Sequence, residues 1–429
     1  MAQQLYFSRD TKVFVKKGAV VWEIPVLDGF SFSQATNSSE ITLAEMESTG
    51  GVSRRGRRQF NDSLAPAEWS FSTYVRPFKS TGSGTGAADN AAKHHAVEEI
   101  MWALFSGPAT YASNTFTNQF VSDATDLDID FSESNKSTLG TADIFFVVGN
   151  ANRKVYKLRD CVVNEASLDF DIDGIATISW SGMGSEIVDM SSRTITQAAI
   201  PAHNATVADG SVVSAPSTSH PGGDVWLDSD DGHRLHTILT VPGSGNTTAT
   251  ATIYESVLAT TNFIRNRLTT LSVTPTTRDP DGDGTNELEA SYALTLTGGN
   301  ITFSNNVTFI TPEEIGLVNI PIGHVTGTRS ISGSMTCYLS KDTGATNHST
   351  DLFEDLKSIT SVTTNSFALV FNVGGTGSGV PKLAVSMPTC HLEIPTHSIA
   401  DVISLETNFN ALPATIDATD EVTIKYLGV

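Results

Sequence analysis

The chain has 429 residues, 39% of them apolar, with 34 glycines besides, which is enough hydrophobic material and length for two or three packed domains. Lys and Arg number 26 against 47 Asp and Glu, a formal charge of −21, with 17 basic and 26 acidic residues in 1–225 and 9 and 21 in 226–429. A chain acidic in both halves lacks the cations that tight binding to phosphate backbones needs. Cys161, Cys337 and Cys390 are too few and too scattered for a disulfide framework or a zinc site, and read as small buried residues in a reducing compartment. No run of about 18 apolar residues offers a membrane span. The opening MAQQLYFSRDTKVF lacks the apolar core of a signal peptide, so the expectation is a soluble product of the cytoplasm with no membrane partner.

In chain order, most segments read as strands. Trp69 to Val75 alternates with period two, as does Ser167 to Ile172, which ends at the hairpin signal Asp173-Gly174 and leads into Ile175 to Trp180. Ile144 to Val148 is a short apolar strand. Tyr292 to Thr297, Ile301 to Ile310, Ile331 to Leu339 and Phe367 to Val373 continue the pattern, with Ser and Thr at the polar positions. The spacing of Val97, Ile100, Met101, Leu104 and Phe105 predicts a helix over Asp89 to Phe105, capped by Asp89 or Asn90 and stopped by Gly107-Pro108. A shorter helix is expected at Asp351 to Lys357. Residues 80–88 read as a flexible loop, and 195–223, rich in Ala, Ser, Thr, Pro and Gly, as a linker or extended arm.

The same order of elements occurs twice. An Arg-containing stretch leads into a Ser/Thr-rich strand ending in Tyr, with Arg57, Arg58 and Tyr74 in the first half and Arg329 and Tyr338 in the second. A helix follows each, then an apolar strand and a Gly-rich or polar turn. Lys157 to Gly184 overlays Lys382 to Phe409 without a gap. The expected organisation is therefore mainly β: one antiparallel β-sandwich or barrel module over 1–194, the linker 195–223, and a similar module over 224–429, each with one flanking helix. Two copies of one module in a chain can make heterologous contacts with a neighbour, and such contacts close into a ring where the rotation permits.

Three runs in the second half, LTLTGGNITFSNNVT (294–308), TPEEIG (311–316) and NIPIGHVTGTR (319–329), resemble the tail tube proteins, or major tail proteins, of tailed bacteriophages. NFIRNR (262–267) and HLEIPTH (391–397) fit the same pattern. The likeness covers residues 250–429 closely and 20–190 by element order, with Arg54 to Phe78 the looser match. It implies a structural virion protein of the duplicated kind. Three chains would close a pseudo-hexameric ring, and rings would stack through long loops into a hollow conduit for DNA. The partners implied are other copies of the chain, the tape measure, tail terminator and distal tail proteins, a sheath protein where there is one, and viral DNA passing without specific binding. Some relatives carry an extra Ig-like domain after the tube modules, which is not evident here. A β-sandwich adhesin or receptor-binding tail-tip protein is the alternative.

No residues suggest an enzyme or a cofactor: there is no G-x-S-x-G elbow and no P-loop, and Gly374 to Gly379 lacks the following Lys-Ser/Thr. Asp279, Asp281 and Asp283 resemble the start of a calcium loop, but its twelfth position is Ala290, so a polar hairpin tip is expected and no metal is assigned. His94-His95, and His233 with His236, lack companions at metal-ligand spacing. The basic run Arg54, Arg55, Arg57 and Arg58 has no interleaved aromatics and reads as an inter-subunit contact, as do Arg329, at the repeated position, and His324.

Overall fold

A computed structural model of the chain describes residues 5–18, 21–41, 57–79, 93–110, 116, 120–121, 125–131, 138–149, 154–190, 262–312, 315, 319–340, 347–359, 366–377, 379–416 and 418–429, and the backbone alone of 20, 42, 111–112, 115, 122, 194–195, 225–228, 235–240 and 248–250. Residues 11–189 form β1 (Thr11–Lys17), β2 (Val20–Ile24), β3 (Ser31–Thr42), β4 (Arg57–Tyr74), β5 (Pro77–Lys79), β6 (His94–Ala96), α1 (Glu99–Ser106), β7 (Tyr111–Ala112), β8 (Thr115–Phe116), β9 (Phe120–Ser122), β10 (Leu127–Asp130), β11 (Ala142–Val148), β12 (Lys154–Asp171), β13 (Thr177–Gly184) and β14 (Ile187–Asp189). A small separate sheet follows, made of β15 (Thr194–Ile195), β16 (Val225–Asp228), β17 (Leu235–Thr240) and β18 (Thr248–Thr250), with β15 and β16 parallel. Residues 270–427 form β19 (Thr270–Pro275), β20 (Tyr292–Ala293), β21 (Leu296–Ser304), β22 (Thr308–Ile310), β23 (Gly323–Val325), β24 (Ser330–Tyr338), α2 (Ser349–Ser358), β25 (Phe367–Val373), β26 (Lys382–Leu392), β27 (Thr396–Ser398), β28 (Ser404–Ala411) and β29 (Thr423–Leu427).

The fold is mainly β and, outside the small sheet, antiparallel. In the first half the pairing order is β2, β1, β11, β12, β13, β4, β3. In the second half β20, β19, β25, β26, β28, β24 and β21 pair in the corresponding order. Irregularities fall at corresponding places, at Ala142/Ile144 opposite Cys161 and at Phe367/Leu369 opposite Cys390. The hydrogen bonds thus match Cys161 with Cys390, four residues out of step with the gapless sequence overlay. Tyr74 and Tyr338 each face the first residue of the next strand, Thr177 and Ser404. Trp69 lies over Gly182, and in the second half Phe409 lies over Gly333. A Cβ on either glycine would collide with the aromatic ring and a neighbouring carbonyl, so each pair keeps one large and one absent side chain.

The expected helix at Asp89 to Phe105 is shorter: α1 starts at Glu99, because His94–Ala96 instead hydrogen-bonds to Pro77–Lys79 as a strand, and the proposed caps Asp89 and Asn90 lie outside the described residues. Every residue of α1 is buried, so its apolar positions do not form a single inward stripe. The second helix is slightly longer than expected and carries a capping box between His348 and Asp351. Apart from Ile195, the stretch read as a linker at 195–223 lies outside the described residues, as do residues 80–88. No helix among the described residues is long and apolar enough to cross a membrane.

One hydrophobic core runs through both halves. Trp102 on α1 packs edge-on against Trp180 and Phe303, with centroids 4.9 and 5.2 Å away, and its indole N–H donates to the Tyr426 hydroxyl at 2.7 Å. Trp102→Ala removes a ring that touches both halves, so it should cost about 3–5 kcal/mol. Chemical denaturation followed by tryptophan fluorescence should show one shifted transition, and two separate transitions would mean that the core is not shared.

Candidate functional site

A continuous sheet of strands crosses the chain in the order β3, β4, β13, β12, β21, β24, β28, and then β26 with its continuation β27. The two halves meet inside it. Glu165–Asp171 of β12 pairs antiparallel with Gly298–Ser304 of β21, residue for residue. A second joint lies in the other layer, where β29 is hydrogen-bonded to β26 on one side and to β10 of the first half on the other.

Alternation gives this sheet two unlike faces. Trp69, Phe71, Ile178, Trp180, Leu168, Phe170, Ile301, Phe303, Ile331, Met335, Leu405 and Phe409 point into the core and are buried. The opposite face is polar in transverse rows. One row runs Ser72, Ser179, Ser167, Thr302, Ser332, Asn410, His391, and the next runs Tyr74, Thr177, Asp169, Asn300, Ser334, Asn408. Hydroxyls and amides bond across the rows: Ser31 to Ser70 at 2.8 Å, Ser72 to Ser179 at 3.0 Å, and the Ser334 N–H and hydroxyl to Asn300 Oδ1 at 2.9 and 3.1 Å. The charged groups in these rows and their extensions are Glu68, Glu165, Asp169, Asp171, Glu406 and Glu393, the last accepting from the Asn408 amide at 2.8 Å. No lysine or arginine occurs in residues 59–75, 164–184, 296–304, 330–338, 386–398 or 404–411, which build the face. A wall of hydroxyls, amides and carboxylates gives a passing phosphate no ion pair, so polyanions meet repulsion or water.

The sequence-derived contact residues are dispersed. Arg57 and Arg58 open β4 at the far end of its hairpin with β3 and are exposed, with Arg57 3.2 Å from Glu40. Arg54 and Arg55 lie outside the described residues. His324 sits half-buried in the β22–β23 hairpin against Phe309, at a centroid distance of 5.9 Å, and burial lowers its pKa. Arg329 is engaged inside the chain. Its side chain is 4% exposed, lies 2.6 Å from Glu421, donates to the carbonyl oxygen of Phe131 in the first half at 3.1 Å, and rests over the Phe131 ring.

The sequence reading missed the two strand edges that end the sheet. Among the described residues β3 pairs with β4 alone, and β27 with β28 alone. The signal was present in HLEIPTH, a strand continued past Pro395, but which edge stays open depends on the neighbours. Among the described residues, Asp279, Asp281, Asp283 and Glu287 have carboxylate oxygens within 4.8 Å of one another and are the group that could share a metal ion. Amides of Gly282, Asp283 and Gly284 donate to Asp279 at 2.7 to 3.1 Å and lower its pKa; desolvation, with a smaller contribution from the three aspartates, raises that of Glu287.

No family model matches the chain. Over 434 aligned residues, covering 99% of it, the chain is 30% identical to the tail tube protein pb6 of Escherichia phage T5, and it spans 75% of that protein. With this identity and coverage, the chain belongs to the phage tail tube proteins, structural components of the virion tail.

Arg329→Ala should lower the unfolding free energy by about 3–5 kcal/mol, because it leaves Glu421 buried without its cation. Urea denaturation measures this, and a change below about 1 kcal/mol would show that the pair is solvated. Replacing Asp169, Asp171 and Glu406 together by Lys should create salt-sensitive retention on duplex DNA where the parent chain shows none at about 150 mM salt.

Proposed function

We propose that three copies of the chain close a ring in which the two halves act as copies of one module, and that rings stack into a tube carrying DNA along the cation-free face. The observation that carries this reading is the β12–β21 joint: two halves with the same pairing order are already zipped edge to edge, and the outer edges of the resulting sheet, β3 and β27, are of the same two kinds. Repeating the joint between copies sets Ile394–Ala400 antiparallel to Gly29–Ala35 of the next copy. His397 would then face Phe32 on the core side, and Thr396 would face Ser33 on the polar side. The faces agree, since His397 already packs on Phe353 of α2 and Phe32 on Phe146, while Ser33 stands opposite Glu68.

Closing the edges this way satisfies the backbone groups that a free edge exposes. Three sheets of eight strands at about 4.8 Å spacing and about 40° tilt give a barrel about 48 Å across its backbone. Stacking is supported by exposed apolar side chains at both ends of the strands: Ile310, Ile315 and Ile322 at one, and Ile399, Val402 and Ile403 at the other. In the tail the tube would meet the terminator, tape measure and distal tail proteins, after assembly in the host cytoplasm.

Ser33 and Thr396 lie at opposite ends of one chain's sheet, about 34 Å apart at ordinary strand spacing. A chain carrying Ser33→Cys and Thr396→Cys should therefore form disulfides between copies, ending in a covalently closed trimer on a non-reducing gel, whereas Ser33→Cys with His397→Cys, which faces the other side, should not. Electron microscopy of the same preparation should show rings or tubes with a central bore. Equal cross-linking of both pairs, or assemblies of another symmetry, would reject the register and the ring respectively.

A further inference from the structure

Strand β29 belongs to the second half but is held by the first. Beyond its pairing with β10, the next residue, Gly428, is pressed on β5, where a Cβ would collide with the backbone of Phe78. The Gly428 N–H donates to Nδ1 of His94 at 2.9 Å, and His94 is 2% exposed. A ring nitrogen accepts a hydrogen bond only without its own proton. A proton on Nδ1 would set two donors face to face in a site shut off from water, and the bond would be lost with the desolvation cost of both groups.

The surroundings of His94 are rich in ionisable groups. Arg76 and Lys79 come from β5 and its leading residue, His95 from β6 itself, Glu98 and Glu99 from the start of α1, Lys425 and Tyr426 from β29, and Asp128 and Asp130 from β10. Several are committed. His95 Nδ1 is 3.0 Å from Glu99, Lys425 is 2.7 Å from Asp128, and the Tyr426 hydroxyl accepts from Trp102 and bonds Glu98. Glu98 is wholly buried, and burial raises its pKa to about 7.

We propose that His94 is a proton-controlled fastener holding β29 to the first half, so that taking up a proton at Nδ1 loosens one of the two joints between the halves. The fastened state takes His94 without that proton. Its contribution is present above the ordinary histidine value of about 6.5 and is lost as pH falls through that region. Glu98 acts in the opposite sense: its raised pKa favours the closed, buried state at low pH, and that contribution fades as pH rises through about 7. The joint therefore carries two proton-dependent contributions of opposite sign, and the test separates them. This inference concerns a joint within one chain and holds whether or not rings form.

Hydrogen exchange of the amides of Ile424 to Gly428, corrected for intrinsic rates, tests it. In Glu98→Gln, which keeps an acceptor for Tyr426 and removes the opposing proton, these amides should exchange about tenfold faster at about pH 5.5 than at about pH 7.5. Adding His94→Asn, which keeps an acceptor but cannot titrate, should reduce the change to under about twofold. If Glu98→Gln fails to fold, the ratio of parent to His94→Asn exchange should still rise about tenfold over the same range. A flat ratio, or a pH response of Glu98→Gln that persists when His94→Asn is added, would overturn the proposal.

Discussion

Every backbone N–H and C=O in a sheet needs a partner, and the edge strand is where that need goes unmet. In this chain each half supplies the missing neighbour of the other. β12 would be an open edge in the first half alone, and β21 in the second, and their seven-residue pairing removes both. β29 does the same in the other layer, lying between β26 and β10. The bonds that make one body from two similar halves leave one edge of each kind at the ends of the sheet. A chain of this construction has a built-in reason to associate with itself head to tail.

The polar face follows from the same sheet. Its rows are mostly serine, threonine and asparagine, which satisfy one another across strands and leave little charge to attract counter-ions. The carboxylates within it have no basic partners on the face, whereas several acids elsewhere are paired with cations, as in Lys12–Glu23, Lys157–Asp143 and Arg329–Glu421. Cations are thus used in contacts elsewhere and are absent from the strand segments that build this face.

Burial of charge is concentrated where the halves meet. Arg329 with Glu421, and the group of His94, His95, Glu98, Glu99 and Tyr426, both tie residues of one half to those of the other. Buried polar groups are costly unless every partner is in place, so they fix one geometry of the joint where an apolar contact would tolerate sliding. The packing of Trp102, Trp180 and Phe303 supplies the bulk attraction, and the polar contacts set the alignment.

Strand positions were legible in the residues because period two is a local property: Phe367–Val373 and Ser330–Tyr338 alternate by themselves. The acidity of the chain and the absence of Lys and Arg from long stretches were equally plain. The start of α1 was not, since only the contact with Pro77–Lys79 turns His94–Ala96 into a strand. Nor could Arg329 be placed, because Glu421 is 92 residues away along the chain. Alternation, charge and family likeness could all be read from the residues alone. The open polar face, the strand edges left without a neighbour and the histidine that accepts a bond from Gly428 emerge only on folding, because each depends on what a distant segment brings to the opposite side.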